Sequence, residues 1–545
     1  MVTHVSDQTM RTAPIVGGPL TAERWGLRLT QLGAVALILA VTVEKAFELD
    51  RFFVPKELAL HLTALAAGLL LAGTFRRAQF TRVDLSLVAY LAVGVLSALV
   101  ATNGWLAGRA LAISFSGVAL FWVGRSLREA GLGRPLLRVL ALAVVIGAAL
   151  SLAQAYGIRT DFFSENRAPG GTLGNRNSIA HMAAFGLPWV VLSAVRAWRP
   201  GGYLLGAIGI MIVFATLVLT RSRAGWLAAG AVLLVLLIAM LASRPLRNHG
   251  RSWVRLAGIL LLTAAGVGAA LLLPNSLRWT GDNPYLETAR GVANYQDGSG
   301  QGRLVQYRQT VEMAMSSPLL GVGPGNWAVK YPARAAPGDP SLDRSAPGTT
   351  SNPWPSSDWV AFVSERGFPA VVLLGLALLM IAAGGAKRLI QARDEEEGWE
   401  AAALLATMAA VLVAGMFDAV LLLALPTLLV WTAIGVLWSP VPDNGLRLSP
   451  GARTMLLVLV SLVAGLGAVR STGQLAAMRI YATADGGHAL ERAASMDPGN
   501  YRLRLRLARS DSRANQEQRC RHALAARGLF PNARAARDLA RPCSS

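Results

Sequence analysis

Charge is scarce in this chain, and lysine is scarcer still. Of its 545 residues only 15% are charged, and only four of the 52 basic ones are lysine: Lys45, Lys56, Lys330 and Lys387. Soluble domains carry about 25% charged residues, so a single water-soluble globule is excluded. Fifty-three per cent of the residues are hydrophobic, in blocks long enough to cross a bilayer, which makes the chain a polytopic membrane protein. There are two cysteines, Cys520 and Cys543, and spacing alone does not say whether they pair. There are six histidines, at 4, 61, 181, 249, 488 and 522. No Asp-x-Asp or histidine-rich cluster points to a metal, and no cofactor is implied. Residues 1–27 lack a short apolar core with a small-residue cleavage site, so the first span is expected to be an uncleaved anchor. The isoelectric point near 11.1 follows from arginine in inside loops, so no nucleic-acid partner is expected.

Stretches of about 17–25 apolar residues are expected to span, because about 20 residues cross a hydrocarbon core of about 30 Å. They fall at 28–44, 57–74, 83–101, 106–123, 136–156, 178–195, 203–219, 224–241, 254–273, 359–383, 400–417, 419–438 and 454–469. The fold class is therefore all-α, with about 12–13 transmembrane helices. The pair flanking Asp418 is tight enough that a re-entrant arrangement is an alternative. With the N-terminus inside, the inside loops carry Arg76/Arg77/Arg82, Arg125/Arg128/Arg134/Arg138, Arg196/Arg199, Arg244/Arg247/Arg251/Arg255, Lys387/Arg388/Arg393 and Arg447/Arg453. Each is basic, as positive-inside topology requires. The segments are then 1–27 cytoplasmic, 28–273 with nine spans, 274–357 an exterior loop, 358–469 with four spans, and 470–545 an exterior tail.

Three polar clusters fall on the exterior side, where polar residues near a membrane carry information. Arg221-Ser222-Arg223 opens the eighth span; its guanidinium groups either snorkel to lipid phosphates or hold a phosphate or diphosphate. Gly174-Asn175-Arg176-Asn177-Ser178 leads into the sixth span, either as a helix cap or as an anion or sugar site. The loop 274–357 is too long for a simple connector. It contains a helical run in which Leu304, Tyr307, Val311 and Met315 recur at helical spacing, expected to lie on the membrane surface. Arg308 and Glu312 form an i,i+4 pair, read as solvated, while Arg303 has no such neighbour. Gly321-Val-Gly323-Pro-Gly325-Asn326 follows with no strand before it and is not a dinucleotide fingerprint.

In this order the segments resemble the O-antigen ligase and polymerase superfamily, which includes protein O-oligosaccharyltransferases. Ala46-Phe47-Glu48-Leu49 with Pro55-Lys56 is similar to the family's segment after its first span. Gly171-Thr-Leu-Gly-Asn175-Arg-Asn177 is similar to its Gly-x-x-Gly-Asn-x-Asn motif, and Thr220-Arg-Ser222-Arg223-Ala-Gly to its Thr-x-Ser-Arg-Gly motif. The run from Gly302-Arg303 to Asn326 resembles it most closely. The resemblance covers roughly residues 28–440. It implies a glycosyltransferase-C type helical fold and metal-independent transfer of a glycan from undecaprenyl diphosphate to an acceptor hydroxyl on the periplasmic side of a bacterial inner membrane. It implies that Arg223 and Arg303 bind the diphosphate and stabilise its departure. Arg221, Asn175, Asn177, Ser222, Asn326 and Glu365 are the expected substrate-binding residues. An O-antigen ligase acting on lipid A-core or another surface glycolipid is the leading expectation. A polysaccharide polymerase, a protein O-oligosaccharyltransferase and a non-catalytic binder of lipid-linked glycan are the alternatives.

One departure matters. Where the family has His-Asn before the tenth span, followed by Glu-x-Gly, this chain reads Ser356-Ser357-Asp358, followed by Glu365-Arg-Gly367. Ser356 stands in the histidine's place. Asp358, on one helix face with Glu365, is the expected substitute base, or else merely caps the tenth span. His181 is a second candidate, and loss of transferase activity a third outcome.

In the tail, Pro498 and Pro531 stand 33 residues apart, close to the tetratricopeptide period, so one or two degenerate helical-hairpin repeats are expected. Too few to stand alone, they are expected to pack on the exterior loop or a protein partner. Fourteen arginines between 470 and 545 suit an anionic partner such as lipid phosphate or acidic glycan, or a solvated basic face.

Overall fold

The computed structural model describes residues 19–45, 47–75, 79–197, 200–281, 283–291, 298–439, 448–484, 486–509 and 516–543. Ala46, Arg76, Arg77, Arg199 and Arg447, named above, lie outside them. In chain order the first ten helices are α1 (Thr21–Leu39), α2 (Asp50–Phe75), α3 (Arg82–Ala98), α4 (Gly104–Glu129), α5 (Gly133–Ala155), α6 (Arg176–Val195), α7 (Pro200–Thr220), α8 (Arg223–Ala242), the short connector α9 (Arg244–Asn248) and α10 (Gly250–Leu272). The long connection holds α11 (Pro284–Arg290), α12 (Gly298–Met315) and α13 (Trp327–Lys330). Then come α14 (Asp358–Ile390), α15 (Glu395–Phe417), α16 (Ala424–Leu437) and α17 (Pro450–Thr483), followed by the tail helices α18 (Gly487–Met496), α19 (Tyr501–Arg509), α20 (Gln516–Leu529) and α21 (Arg534–Ala540).

The chain is an all-α polytopic membrane protein, with no strand among the described residues. Among the described residues ten helices are long and apolar enough to cross a membrane: α2, α4 to α8, α10, α14, α15 and α17. α1, α3 and α16 coincide with the other three expected spans. α16 differs from the expectation: it has 14 residues, every one buried, so at 1.5 Å per residue it reaches only about 21 Å. Residues 418–423 before it are not helical. Irregular backbone at membrane depth persists only where the protein satisfies its polar groups, and the Asp358 carboxylate does so, accepting hydrogen bonds from the Val420 and Leu421 N–H groups at 2.9 Å each.

Ion pairs sort the connections onto two ends. At the start of α15, Glu400 meets Arg128, Arg196 and Arg388, Glu396 meets Arg134 and Arg196, and Glu395 meets Arg255. These arginines come from four separate loops, which therefore share one end of the bundle. The other end of α4 meets the tail: Trp105 donates through Nε1 to Asp497 at 2.7 Å, and Asn103 through Nδ2 to the Gly499 carbonyl at 3.3 Å. The tail also holds the long loop, with Asn532 Nδ2 donating to the Val329 carbonyl at 3.0 Å and the Arg534 N–H to the Pro347 carbonyl at 2.9 Å. Loop and tail therefore share one end.

The expected boundary at 469 is displaced. α17 continues to Thr483, and Ala477 on its extension packs with Leu490, Ala493, Leu503 and Leu507, so the tail grows from a continuous helix. Cys520 and Cys543 are joined in a disulfide.

Candidate functional site

The turn into α6 requires glycine at one position. Gly174 has φ 72°, and a Cβ there would sit 2.3 Å from the Phe52 ring. Asn175 then caps α6, accepting from the Asn177 N–H at 3.0 Å. Asn177 Nδ2 in turn donates to Asp418 Oδ2 at 3.3 Å. The cap and a site are thus the same structure: the two asparagines begin the helix and also face a carboxylate from the irregular 418–423 segment.

α12 brings the loop to this point. Arg303, Gln306, Tyr307 and Thr310 form its inward face, while Leu304, Val311 and Met315 are exposed. Tyr307 therefore leaves the expected apolar stripe; its hydroxyl lies 2.6 Å from the Ser356 carbonyl and 2.7 Å from the Met416 carbonyl, which share its one proton. Gln306 Oε1 accepts from the Ser356 N–H at 2.6 Å. Two side chains adjacent to Arg303 on the helix surface thus fix the segment in which serine replaces histidine. Arg308 and Glu312 form an exposed pair at 3.2 Å, as expected.

Arg303, Asn175, Asn177, Ser178, Ser356 and Asp418 line one cavity of about 150 Å³, with Arg167, Asn352 and Trp354. Residues 208–375 match the family model described as O-antigen ligase. Over that stretch the chain is similar to the O-antigen ligases. No curated protein gives a significant match to the chain. The family's coarse activity is membrane glycan transfer, and the cavity sits where two of the ligase-like motifs meet.

The ligase-like residues divide into three groups. Asn175, Asn177 and Arg303 surround the cavity. Arg221, Ser222 and Arg223 form a second group on the same turn-and-loop surface. Arg221 donates through Nε to Thr288 Oγ1 at 2.8 Å, Arg223 bonds to the Gly291 carbonyl, and Ser222 caps α8 by accepting from the Gly225 N–H at 3.3 Å. Arg221 and Arg176 each place a guanidinium 4.9 Å from the Trp279 ring centroid. Arg221 is also the only described non-glycine residue with positive φ, at 52°, a strained setting of the kind that gathers at functional turns.

Asn326 and Glu365 form the third group, and their contacts are with the protein itself. Asn326 Oδ1 accepts from the Asn103 N–H at 2.7 Å, and its Nδ2 donates to the Asn103 and Pro324 carbonyls. Glu365 accepts from the Gly325 N–H at 2.8 Å and the Trp327 N–H at 3.3 Å. The Glu-x-Gly motif closes the same joint: Gly367 has φ 78°, and a Cβ there would lie 2.3 Å from the Leu319 carbonyl oxygen. Neither Asn326 nor Glu365 borders the cavity that holds Arg303.

Asp358, expected as the base, is fully buried, does not line that cavity, and has each carboxylate oxygen occupied by a backbone N–H from 420–421. The carboxylate that does line it is Asp418, which is only partly buried. Its position between two apolar stretches was the signal that could have singled it out. His181 is buried and lines an adjoining cavity of about 20 Å³; its Nε2 has no hydrogen-bond partner among the described residues. Among the described residues no three histidine, cysteine or carboxylate side chains gather in a metal-binding cluster.

Proposed function

We propose that this protein transfers a glycan from undecaprenyl diphosphate to an acceptor hydroxyl, in the manner of an O-antigen ligase, on the periplasmic face of a bacterial inner membrane and without a metal. The acceptor is a glycolipid such as lipid A-core. The observation that carries the reading is the convergence of Arg303, two asparagines, the α6 N-terminus and Asp418 on one cavity.

Asp418 takes the proton from the acceptor hydroxyl, in the role the sequence had suggested for Asp358. The acceptor oxygen forms a bond to the anomeric carbon as the carbon–oxygen bond to diphosphate breaks. The bonding pair leaves on the diphosphate, which becomes undecaprenyl diphosphate with the full negative charge. Arg303 and the N–H groups at the start of α6 face that charge, and Arg223 with Arg221 extend the cationic surface along the carrier. Preset cationic donors in a site of low dielectric lower the barrier by about 2.7–4 kcal/mol each.

The test is transfer by the purified chain in nanodiscs, with undecaprenyl-diphosphate-linked glycan and lipid A-core. Wild type is expected to transfer, Arg303→Ala to lose about 10²–10³-fold in kcat, and Asp418→Asn about 10²–10⁴-fold. Loss in His181→Ala with Asp418→Asn unaffected would assign the base to His181. Donor binding without turnover on any acceptor would replace the transferase with a binding protein.

A further inference from the structure

A second and larger cavity, about 350 Å³, lies between the bundle and the tail, and none of Arg221, Arg223 and Arg303 lines it. α4, α14 and α17 supply its floor, the 349–354 loop one wall, and the start of α19 its rim. We propose that this cavity binds an uncharged sugar of one of the two transfer substrates, held between Asp50 on α2 and Arg502 on the tail. The assignment to a transfer substrate rests on the transferase reading above; the binding of the sugar does not.

The first observation is which charged groups of the lining remain available. The lining holds as many carboxylates as guanidinium groups, four of each, and the protein itself takes up six of the eight. Glu365 accepts from two backbone N–H groups, and Asp497 accepts from Trp105 Nε1 at 2.7 Å and Asn500 Nδ2 at 3.0 Å. Glu48 accepts from Ser164 Oγ at 3.0 Å and lies 3.5 Å from Arg51 Nε. Arg109 donates through Nε to Glu57 at 2.8 Å, and Arg470 donates to the Trp105 carbonyl and to Gln474 Oε1. Arg366 spends Nη2 on Ser114 and Ala110, and its other two nitrogens are too buried for a ligand to reach. That leaves Asp50, half-buried, and Arg502, exposed, whose side chains make no hydrogen bond or ion pair among the described residues. The Arg502 guanidinium rests over the Phe47 ring, 5.8 Å from its centroid, a contact that uses none of its N–H groups.

A hydroxyl both donates and accepts, so of two neighbouring hydroxyls on one sugar, one donates to the Asp50 carboxylate while the other accepts from Arg502. A charged sugar matches only one of the two and meets like charges in the lining, whichever its sign. The second observation is the Trp354 ring on the 349–354 wall. It meets Phe53 edge to face with centroids 5.1 Å apart, so at least one of its faces is not covered by another ring. That electron-rich face suits the C–H side of a pyranose, and Thr350 and Ser351 nearby add hydroxyls to the lining. The third is position. Leu49 and Trp354 line both this cavity and the one that holds Arg303 and Asp418. A sugar in the larger cavity is therefore next to the reaction site without displacing the diphosphate.

The experiment uses the full chain in nanodiscs, titrated by calorimetry with neutral disaccharides of glucose, galactose and mannose. The corresponding uronic-acid and amino-sugar disaccharides and the dipeptide seryl-glycine are the charged probes. At least one neutral disaccharide is expected to bind, at least tenfold more tightly than its charged counterparts or the dipeptide. Asp50→Asn and Arg502→Gln should each weaken it about tenfold, the worth of one hydrogen bond to a charged group, with the melting temperature unchanged. Arg303→Ala should leave sugar binding intact. Should Asp50→Asn lower the melting temperature, and so disturb the start of α2, Arg502→Gln alone decides. In the transfer assay the same variants should raise one KM and spare the other: that of lipid A-core if the cavity takes the acceptor, that of the donor if it takes the donor glycan. A rise in neither overturns the assignment to a transfer substrate. No binding by any neutral probe, equal binding by a charged one, or binding untouched by Arg502→Gln overturns the inference. Transfer with no such binding would overturn it and leave the transferase standing. Binding that depends on Asp50 and Arg502, without transfer by wild type, would leave the sugar site standing and overturn the transferase.

Discussion

Asp358 holds Leu421 across the bundle: the first residue of α14 accepts a hydrogen bond at 2.9 Å from the backbone N–H of the segment that opens α16, and its other oxygen does the same for Val420. The relationship fixes the backbone just after Asp418, which lines the smaller cavity. Asp358→Asn is expected to destabilise the protein by about 1–3 kcal/mol, because one of two buried N–H groups is left unmatched. Thermal unfolding in detergent measures it. Asp418→Asn should leave the melting temperature within a degree or two and lower kcat by about 10²–10⁴-fold. The reverse pattern would restore Asp358 as the base.

Glu365 fastens the 325–327 backbone to α14. Glu365→Gln, which retains one acceptor oxygen, should cost about 1–3 kcal/mol and release the 321–327 turn. Hydrogen exchange is expected to accelerate at the Gly325 and Trp327 amides, with undecaprenyl-diphosphate affinity unchanged. A lower donor affinity with unaltered exchange would instead make Glu365 a ligand-contacting group.

The Cys520–Cys543 disulfide closes a loop with a sequence separation of 23. Removing it with the paired substitution Cys520→Ala/Cys543→Ala should cost the tail about 2–4 kcal/mol. Disulfides persist in oxidising compartments, so in intact cells both thiols should resist maleimide until a membrane-impermeant reductant is added. Free, unreactive thiols shielded by the membrane would place the tail on the opposite side.

Tyr331 offers a pH test of the long loop between α10 and α14. Burial raises its phenol above the ordinary value, and the hydrogen bond it donates to Asp339 at 2.7 Å raises it further. The unfolded chain therefore ionises first, near pH 10. The stabilising contribution is complete below that pH and is lost as pH rises toward the elevated folded value. The loop should loosen above about pH 10 by limited proteolysis, and Tyr331→Phe should flatten that dependence.

Much of the fold was legible because hydropathy is a local property. Thirteen apolar stretches became thirteen helices, and the arginines of alternate loops gathered on Glu395, Glu396 and Glu400. The asparagine motif, Arg303 and the replaced histidine at Ser356 were also legible, since each is a departure from an apolar or family pattern, and they meet at one cavity. The base was not. Asp358 and Asp418 are both carboxylates at the edge of a span, and nothing in their neighbours tells which is consumed by backbone and which faces a cavity.

The sequence by itself determined the membrane class and the apolar stretches that became the bundle helices, because those follow from composition and from periodicity along the chain. Only the tertiary structure decided that α16 is short and buried, that Asp358 caps the break before it, and that Arg366 retains unmatched donors beside the tail. The reason is one of hydrogen-bond accounting. Whether a buried polar group is satisfied depends on partners tens to hundreds of residues away, and that pairing is fixed only when the helices pack.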